Sequence, residues 1–138
     1  MRSSWTLNDL GCVLCVFALA AFLPLAIVGR HLLQANVYAT SFYAYVGWAC
    51  LAIYGLAALF NFYLSVVRPW LHTRRDKGEY KHVSGIPIVH LLFLFAAIVT
   101  LPPNTLAGIL MLALLGLDTG AAHWAALAFA FEFLPKRG

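Results

Sequence analysis

Long apolar runs, separated by short polar islands, constrain this chain more than any other feature of its sequence. Apolar residues make up 63% of the sequence and charged residues only 10%. Each run is close to, or longer than, the ~20 residues that cross the hydrocarbon core of a bilayer. A soluble domain would need more charge to cover its surface. We therefore expect an integral membrane protein. The runs are Leu10–Gly29, Ser41–Val67, Gly85–Leu101 and Leu106–Leu134.

The continuous apolar stretches Leu91–Ile98 and Leu106–Leu117 favour helices that lipid surrounds on most sides. We predict an all-α fold, a polytopic transmembrane bundle of four helices in a single domain, 1–138. The predicted helices cover approximately 10–29, 41–67, 85–101 and 106–134. The last run is interrupted by Asp118-Thr119-Gly120. It is therefore either one tilted or kinked helix or two shorter helices, and we favour a break near Asp118–Gly120.

The distribution of basic residues predicts the topology, because cytoplasmic loops are enriched in Lys and Arg. Five of the nine basic residues lie in the predicted loop 68–84, and the connection 102–105 has none. Arg2 lies near the N-terminus, and Lys136 and Arg137 lie at the C-terminal end. We expect the loop and both termini in the cytoplasm. Arg30 alone does not fit this arrangement.

Ionisable side chains inside apolar runs are candidate functional residues, because they are costly to place in lipid. Asp118 and His123 both lie in the fourth run. A helix break at Gly120 would allow them to meet and to bind a proton or a cation. The alternative is structural: Asp118 caps a helix at the break, and His123 lies at the membrane interface beside Trp124.

A second group of polar residues consists of Asn61, His90 and Glu132, which lie at similar predicted depth on the cytoplasmic side. They form a hydrogen-bonded cluster that holds the bundle together, or line a path for a proton or a ligand, or extend towards the membrane surface without contacting one another. If the cluster is structural, replacing Glu132 with alanine should lower thermal stability in detergent.

The basic loop is a candidate contact for anionic lipid or for a protein partner. Its candidate residues are Arg68, Arg74, Arg75, Lys77, Tyr80 and Lys81. Because the positive charge is concentrated between apolar runs, it does not predict nucleic-acid binding. We recognise no metal-ligand set, no cofactor motif and no pairing of nucleophile and base, so we expect neither a metal, nor a cofactor, nor an enzyme.

The string RRDKGEYKHVSGIP at 74–87, followed by LDTG at 117–120 and His123-Trp124, carries a resemblance. It resembles small four-helix inner-membrane proteins of proteobacteria that act as immunity partners of secreted antibacterial toxins. The resemblance covers roughly residues 68–125. It implies an inner-membrane protein that binds and neutralises a cognate membrane-acting toxin.

Two other functions fit the sequence. The chain is alternatively an accessory subunit that stabilises a larger membrane complex. It is otherwise a small transporter or channel component that forms a homo-oligomer and uses Asp118 and His123. The partner is a protein if the chain neutralises a toxin or belongs to a larger complex. We expect membrane lipids to surround the chain in all three cases.

Overall fold

The computed structural model describes residues 7–37, 41–75, 88–124 and 126–127. Helical residues make up 86% of this part of the chain, and none of it forms a strand. The predicted all-α class is therefore confirmed for the described residues.

The first two helices both continue into π-helical turns. Helix α1 covers Leu7–Ile27 and is followed by a π-helical turn at Val28–Leu32. Helix α2 covers Phe42–Phe62 and is followed by a π-helical turn at Tyr63–Val67. The chain then continues without interruption into α3, Arg68–Arg75.

The next two helices are short and apolar. A 3-10 turn at Ile88–His90 leads into α4, Leu91–Thr100. Helix α5 covers Thr105–Leu117, and the side chain of Asn104 caps it by accepting a hydrogen bond from the backbone N–H of Ala107 at 3.1 Å. Pro102 and Pro103 cannot continue a helix, because proline has no backbone N–H to donate. The chain therefore leaves α4 at Thr100 and turns before α5 begins at Thr105.

The last predicted helix is broken near Asp118–Gly120, as the sequence indicated. Asp118 has an extended backbone that ends α5, with φ −74° and ψ 91°. Residues 119–121 form a turn, and the chain is helical again at 122–124 and 126–127. The remainder of the predicted segment up to Leu134 lies outside the described residues.

The predicted loop at 68–84 was wrong over its first part. Residues Arg68–Arg75 are helical and extend the helix that began at Phe42. Basic residues indicate that the apolar environment ends at Arg68, but they do not indicate that the helix ends there. Arg, Leu and Trp are all tolerated within a helix, so the helix continues to Arg75. Residues 76–84 lie outside the described part of the chain.

Helix α2 is the central packing element. It packs most extensively against α4 and also contacts α5. Its small residues permit close approach: a Cβ atom at Gly47 would lie 2.6 Å from Cγ of Leu101. On α5, a Cβ atom at Gly108 would lie 2.8 Å from Cβ of His31, so α5 also approaches the end of α1 closely.

Within the described residues, two helical stretches are long and apolar enough to cross a membrane. They are Val13–Leu32 and Phe42–Arg74. Helices α4 and α5 are apolar but shorter, with 10 and 13 residues.

Candidate functional site

The most distinctive site is the carboxylate of Asp118, which lies at the helix break and has no solvent exposure. Its Oδ1 accepts hydrogen bonds from Nδ2 of Asn61 at 2.9 Å and from the backbone N–H of Gly120 at 3.1 Å. Its Oδ2 accepts from the hydroxyl of Tyr54 at 3.2 Å and from Nε2 of His90. An ionised carboxylate accepts only, and these four donors match its lone pairs.

The four donors come from three parts of the fold: α2, the start of α4, and the helix break itself, which supplies the N–H of Gly120. Tyr54 and Asn61 lie seven residues apart on α2, so they are on the same face of that helix. His90 lies at the start of α4. The rings of Tyr54 and His90 stack in parallel, with centroids 5.7 Å apart and planes 8° apart. We call Tyr54, Asn61, His90 and Asp118 the Asp118 cluster, and all four are buried.

Thr119 holds the other side of the break. Its hydroxyl oxygen lies 3.1 Å from the carbonyl oxygen of Asn61 and 2.9 Å from the hydroxyl of Ser65. It can therefore donate to the carbonyl while it accepts from the serine. Because buried backbone without partners is costly, these contacts make an interrupted helix tolerable inside an apolar bundle.

The sequence-predicted polar residues are grouped differently in the structure. Asn61 and His90 do lie together, and the residue that joins them is Asp118. Glu132 lies outside the described residues, so its membership of a cluster stays a prediction. His123 is half-buried beside Trp124, with ring centroids 5.9 Å apart. Within the described residues, neither ring nitrogen of His123 has a hydrogen-bond partner.

A second polar site lies at the opposite end of α4, where the chain reaches Pro102. Nη2 of Arg30 donates to the carbonyl oxygens of Val99 at 3.0 Å and Leu101 at 3.2 Å. The last carbonyls of a helix have no partner within the helix, and basic side chains stabilise them. Arg30 therefore caps the C-terminal end of α4.

His31 is buried next to this cap and makes a hydrogen bond from each ring nitrogen. Nδ1 accepts from the backbone N–H of Asn104 at 3.4 Å, so Nε2 carries the proton that it donates to the carbonyl oxygen of Ile98 at 3.3 Å. This assignment corresponds to a neutral imidazole.

The two connecting loops at this end are also bonded to each other. The backbone N–H of Val37 donates to the carbonyl oxygen of Pro103 at 2.8 Å. Oδ1 of Asn36 accepts from the backbone N–H of Thr105 at 2.8 Å and from its hydroxyl at 2.9 Å. The loops therefore form one connected surface.

The predicted basic segment is described only in part. Arg68 and Arg74 are exposed on α3, and the guanidinium carbon of Arg74 lies 4.0 Å from the ring centroid of Trp70. The side chain of Arg75 and all of Lys77, Tyr80 and Lys81 lie outside the described structure.

Among the described residues there is no group of three His, Cys, Asp or Glu side chains that could hold a metal ion. Asp118 and His90 are adjacent, but the other positions around that carboxylate are taken by hydrogen-bond donors.

Sequence reasoning missed Tyr54 and His31. Tyr54 was not distinguished from the apolar residues around it, although its spacing of seven residues from Asn61 is a signal that both face the same neighbour. His31 was not considered beside Arg30, although an ionisable pair at the end of an apolar helix needs partners.

The chain matches no family model, no curated protein and no solved structure.

Proposed function

We propose that the chain is a polytopic protein of the bacterial inner membrane that binds and neutralises a cognate membrane-acting antibacterial toxin. The observation that carries this proposal is the use of buried polar groups within the fold. The Asp118 carboxylate has four internal donors, and the last carbonyls of α4 are capped by Arg30 and His31. Because these groups are engaged internally, the apolar helix faces and the short loops are left for a partner.

The character of the outer surface supports a membrane location. Many large apolar side chains on the helices point away from the protein, including Leu25 at 68% exposure, Leu56 at 71% and Leu92 at 69%. Such a surface is unfavourable in water and suits lipid. In the proposed arrangement α1, α2, α4 and α5 with the residues after it are the four membrane segments, and both termini lie in the cytoplasm.

The cap made by Arg30 supports this topology. Arg30 was the one basic residue at odds with the positive-inside rule. Its guanidinium faces carbonyl oxygens at the C-terminal end of α4, which carries partial negative charge. Part of its charge is thereby offset within the protein, so an outer position for Arg30 is compatible with a cytoplasmic N-terminus.

A toxin that acts within the membrane would be bound there. Contact would run along the apolar faces of the helices and across the loop surface formed by Asn36, Val37 and Pro103. The apolar helix faces include a groove of about 500 Å³ between α1 and α4, and the walls of this groove include Phe22, Leu92 and Phe95.

The experiment is a purification from the native host followed by a protection assay. The tagged protein is extracted in mild detergent, and its partners are identified by mass spectrometry. We expect a secreted protein that kills cells when expressed alone and spares cells that also express this chain. A version of the gene with an early stop codon controls for its RNA. Recovery of a housekeeping membrane complex, without a toxin, would instead assign the chain as an accessory subunit.

One observation favours a second function, a small oligomeric transporter or channel component. The ring nitrogens of His123 lack hydrogen-bond partners among the described residues, and His123 lies five residues beyond Asp118. An ion-flux assay in proteoliposomes tests this function. Flux that is lost on His123→Ala and kept on replacement of the exposed Tyr45 by Phe would favour transport over toxin binding.

A further inference from the structure

The helix that begins at Phe42 is too long for the hydrocarbon core of a bilayer. The stretch Phe42–Arg74 has 33 residues, which corresponds to about 50 Å at 1.5 Å per residue. The hydrocarbon core is ~30 Å thick, and the whole bilayer with its headgroups is about 40–45 Å. If the chain spans the membrane as proposed above, α3 at the end of this helix lies among the headgroups or beyond them.

A change in helix geometry falls where the helix would leave the hydrocarbon. The π-helical turn at Tyr63–Val67 begins 21 residues after Phe42, which corresponds to about 32 Å along the axis. Turns of this kind are a recognised cause of bends in long helices. The residues of α3 therefore belong to a segment that is distinct from the spanning part.

The charged side chains of α3 are all basic. Helix α3 contains no acidic residue, and Arg68 and Arg74 are exposed. Within the described residues neither arginine has a hydrogen bond or an ion pair. The main packing contact of α3 is with the π-helical turn that precedes it. No acidic residue in the described part of the chain neutralises these two exposed cations, which can therefore bind an anion.

Trp70 identifies the kind of surface that α3 would contact. Trp70 is 52% exposed, and the guanidinium of Arg74 lies over its ring. Tryptophan is enriched at the level of the lipid headgroups, where its ring meets the acyl chains and its N–H meets water. The contact between Arg74 and Trp70 is a cation–π contact, and it engages none of the guanidinium N–H groups in a hydrogen bond to another described residue.

We propose that α3 is a binding site for anionic phospholipid headgroups of the cytoplasmic leaflet. Arg68 and Arg74 hold phosphate oxygens by charge-assisted hydrogen bonds, and Trp70 lies at the boundary with the acyl chains. The two arginines are six residues apart, about 9 Å along the helix axis. This proposal rests on the membrane location proposed above and does not depend on the identity of a toxin.

The test compares two labelled lipids on the full-length protein in neutral detergent. The probes are phosphatidylglycerol and phosphatidylcholine with identical spin-labelled acyl chains. We expect the protein to retain more phosphatidylglycerol. The double variant Arg68→Gln/Arg74→Gln should lose this preference, by up to about fivefold per arginine. The matched control, Lys136→Gln/Arg137→Gln, removes the same charge from the C-terminal end and should keep the preference.

A preference that survives the loss of both arginines would overturn the proposal. An equal loss in the Lys136/Arg137 control would also overturn it, because net charge alone would then explain the selectivity. The variant Arg68→Lys/Arg74→Lys keeps both charges and should keep most of the preference for phosphatidylglycerol. Its result separates the loss of charge from unfolding as the cause of any change in the glutamine variant. Cell fractionation and the protection assay test the proposed function separately, and either outcome there leaves the lipid measurement interpretable.

Discussion

His90 at the start of α4 donates its Nε2–H to the carboxylate of Asp118 at the end of α5. One contact therefore joins the residue that immediately precedes α4 to the residue that immediately follows α5. The two helices are connected at their other ends by the turn at Pro102 and Pro103. Both ends of this helix pair are thus fixed. Tyr54 and Asn61 of α2 and the backbone N–H of Gly120 supply the remaining donors to Asp118.

Replacing Asp118 with asparagine should lower stability strongly. The asparagine side chain has an NH₂ group in place of one carboxylate oxygen of Asp118. The two donors that now contact that oxygen would face another donor. Each buried donor that is left without an acceptor costs about 1–3 kcal/mol. We expect a clear fall in the melting temperature of the purified protein in neutral detergent.

The matched control for Asp118→Asn is Ser41→Ala. Ser41 is exposed, and its side chain makes no capping hydrogen bond to α2. Its replacement should leave the melting temperature nearly unchanged. Equal melting temperatures for Asp118→Asn and the parent protein would contradict the structural role of the carboxylate.

The Tyr54 hydroxyl should contribute measurably to the same cluster. Tyr54→Phe removes one donor to Asp118 and keeps the ring that stacks on His90. Leaving one lone pair of a buried acceptor unsatisfied costs about 1–3 kcal/mol. Tyr45→Phe is the control, because Tyr45 lies on the same helix and is exposed. A melting temperature that falls equally in both variants would argue against the hydrogen bond.

Removing the helix cap made by Arg30 should destabilise the protein without reversing its orientation. Arg30→Met keeps an apolar stem and leaves the carbonyls of Val99 and Leu101 without their donor, at a cost of about 1–3 kcal/mol. Arg68→Met, an exposed arginine without a partner in the described structure, should have little effect in neutral detergent. A reporter fused to the C-terminus should remain cytoplasmic in both variants, and relocation in Arg30→Met would contradict the proposed role of this charge.

A methyl group at Gly47 should disturb the contact between α2 and α4. The new Cβ would lie 2.6 Å from Cγ of Leu101 and 2.7 Å from Oγ1 of Thr100. Such overpacking costs about 1–3 kcal/mol. Gly116→Ala is the control: nothing lies within 4 Å of its Cβ position, and alanine favours the helix. Thermal unfolding should therefore show a loss for Gly47→Ala and no loss for Gly116→Ala.

The approximate positions of α1, α2, α4 and α5 could be predicted because each lies largely within an apolar run of the sequence. The break at Asp118–Gly120 could also be predicted, since an aspartate and a glycine interrupt an apolar helix. The end of the second helix could not. The basic residues from Arg68 onward mark a change of surroundings, and the backbone continues through them as far as Arg75.

The residues of the site could be predicted better than the contacts between them. Asp118, Asn61 and His90 stood out because polar groups in apolar runs need partners. Asp118 was grouped with His123, with which it shares the fourth apolar run, and was considered separately from Asn61 and His90. The structure shows that α5 ends after 13 residues, and this length brings Asp118 level with His90.

The shortness of α4 and α5 has a consequence for biogenesis. Neither helix is long enough to be inserted as an independent segment by the ~20-residue criterion. In the proposed topology they enter the bilayer together, joined by the turn at Pro102. Tyr54 and Asn61 have already been synthesised by then, because they precede both helices in the chain. In that topology, the donors of α2 would be available to the Asp118 carboxylate as soon as α5 follows them into the bilayer.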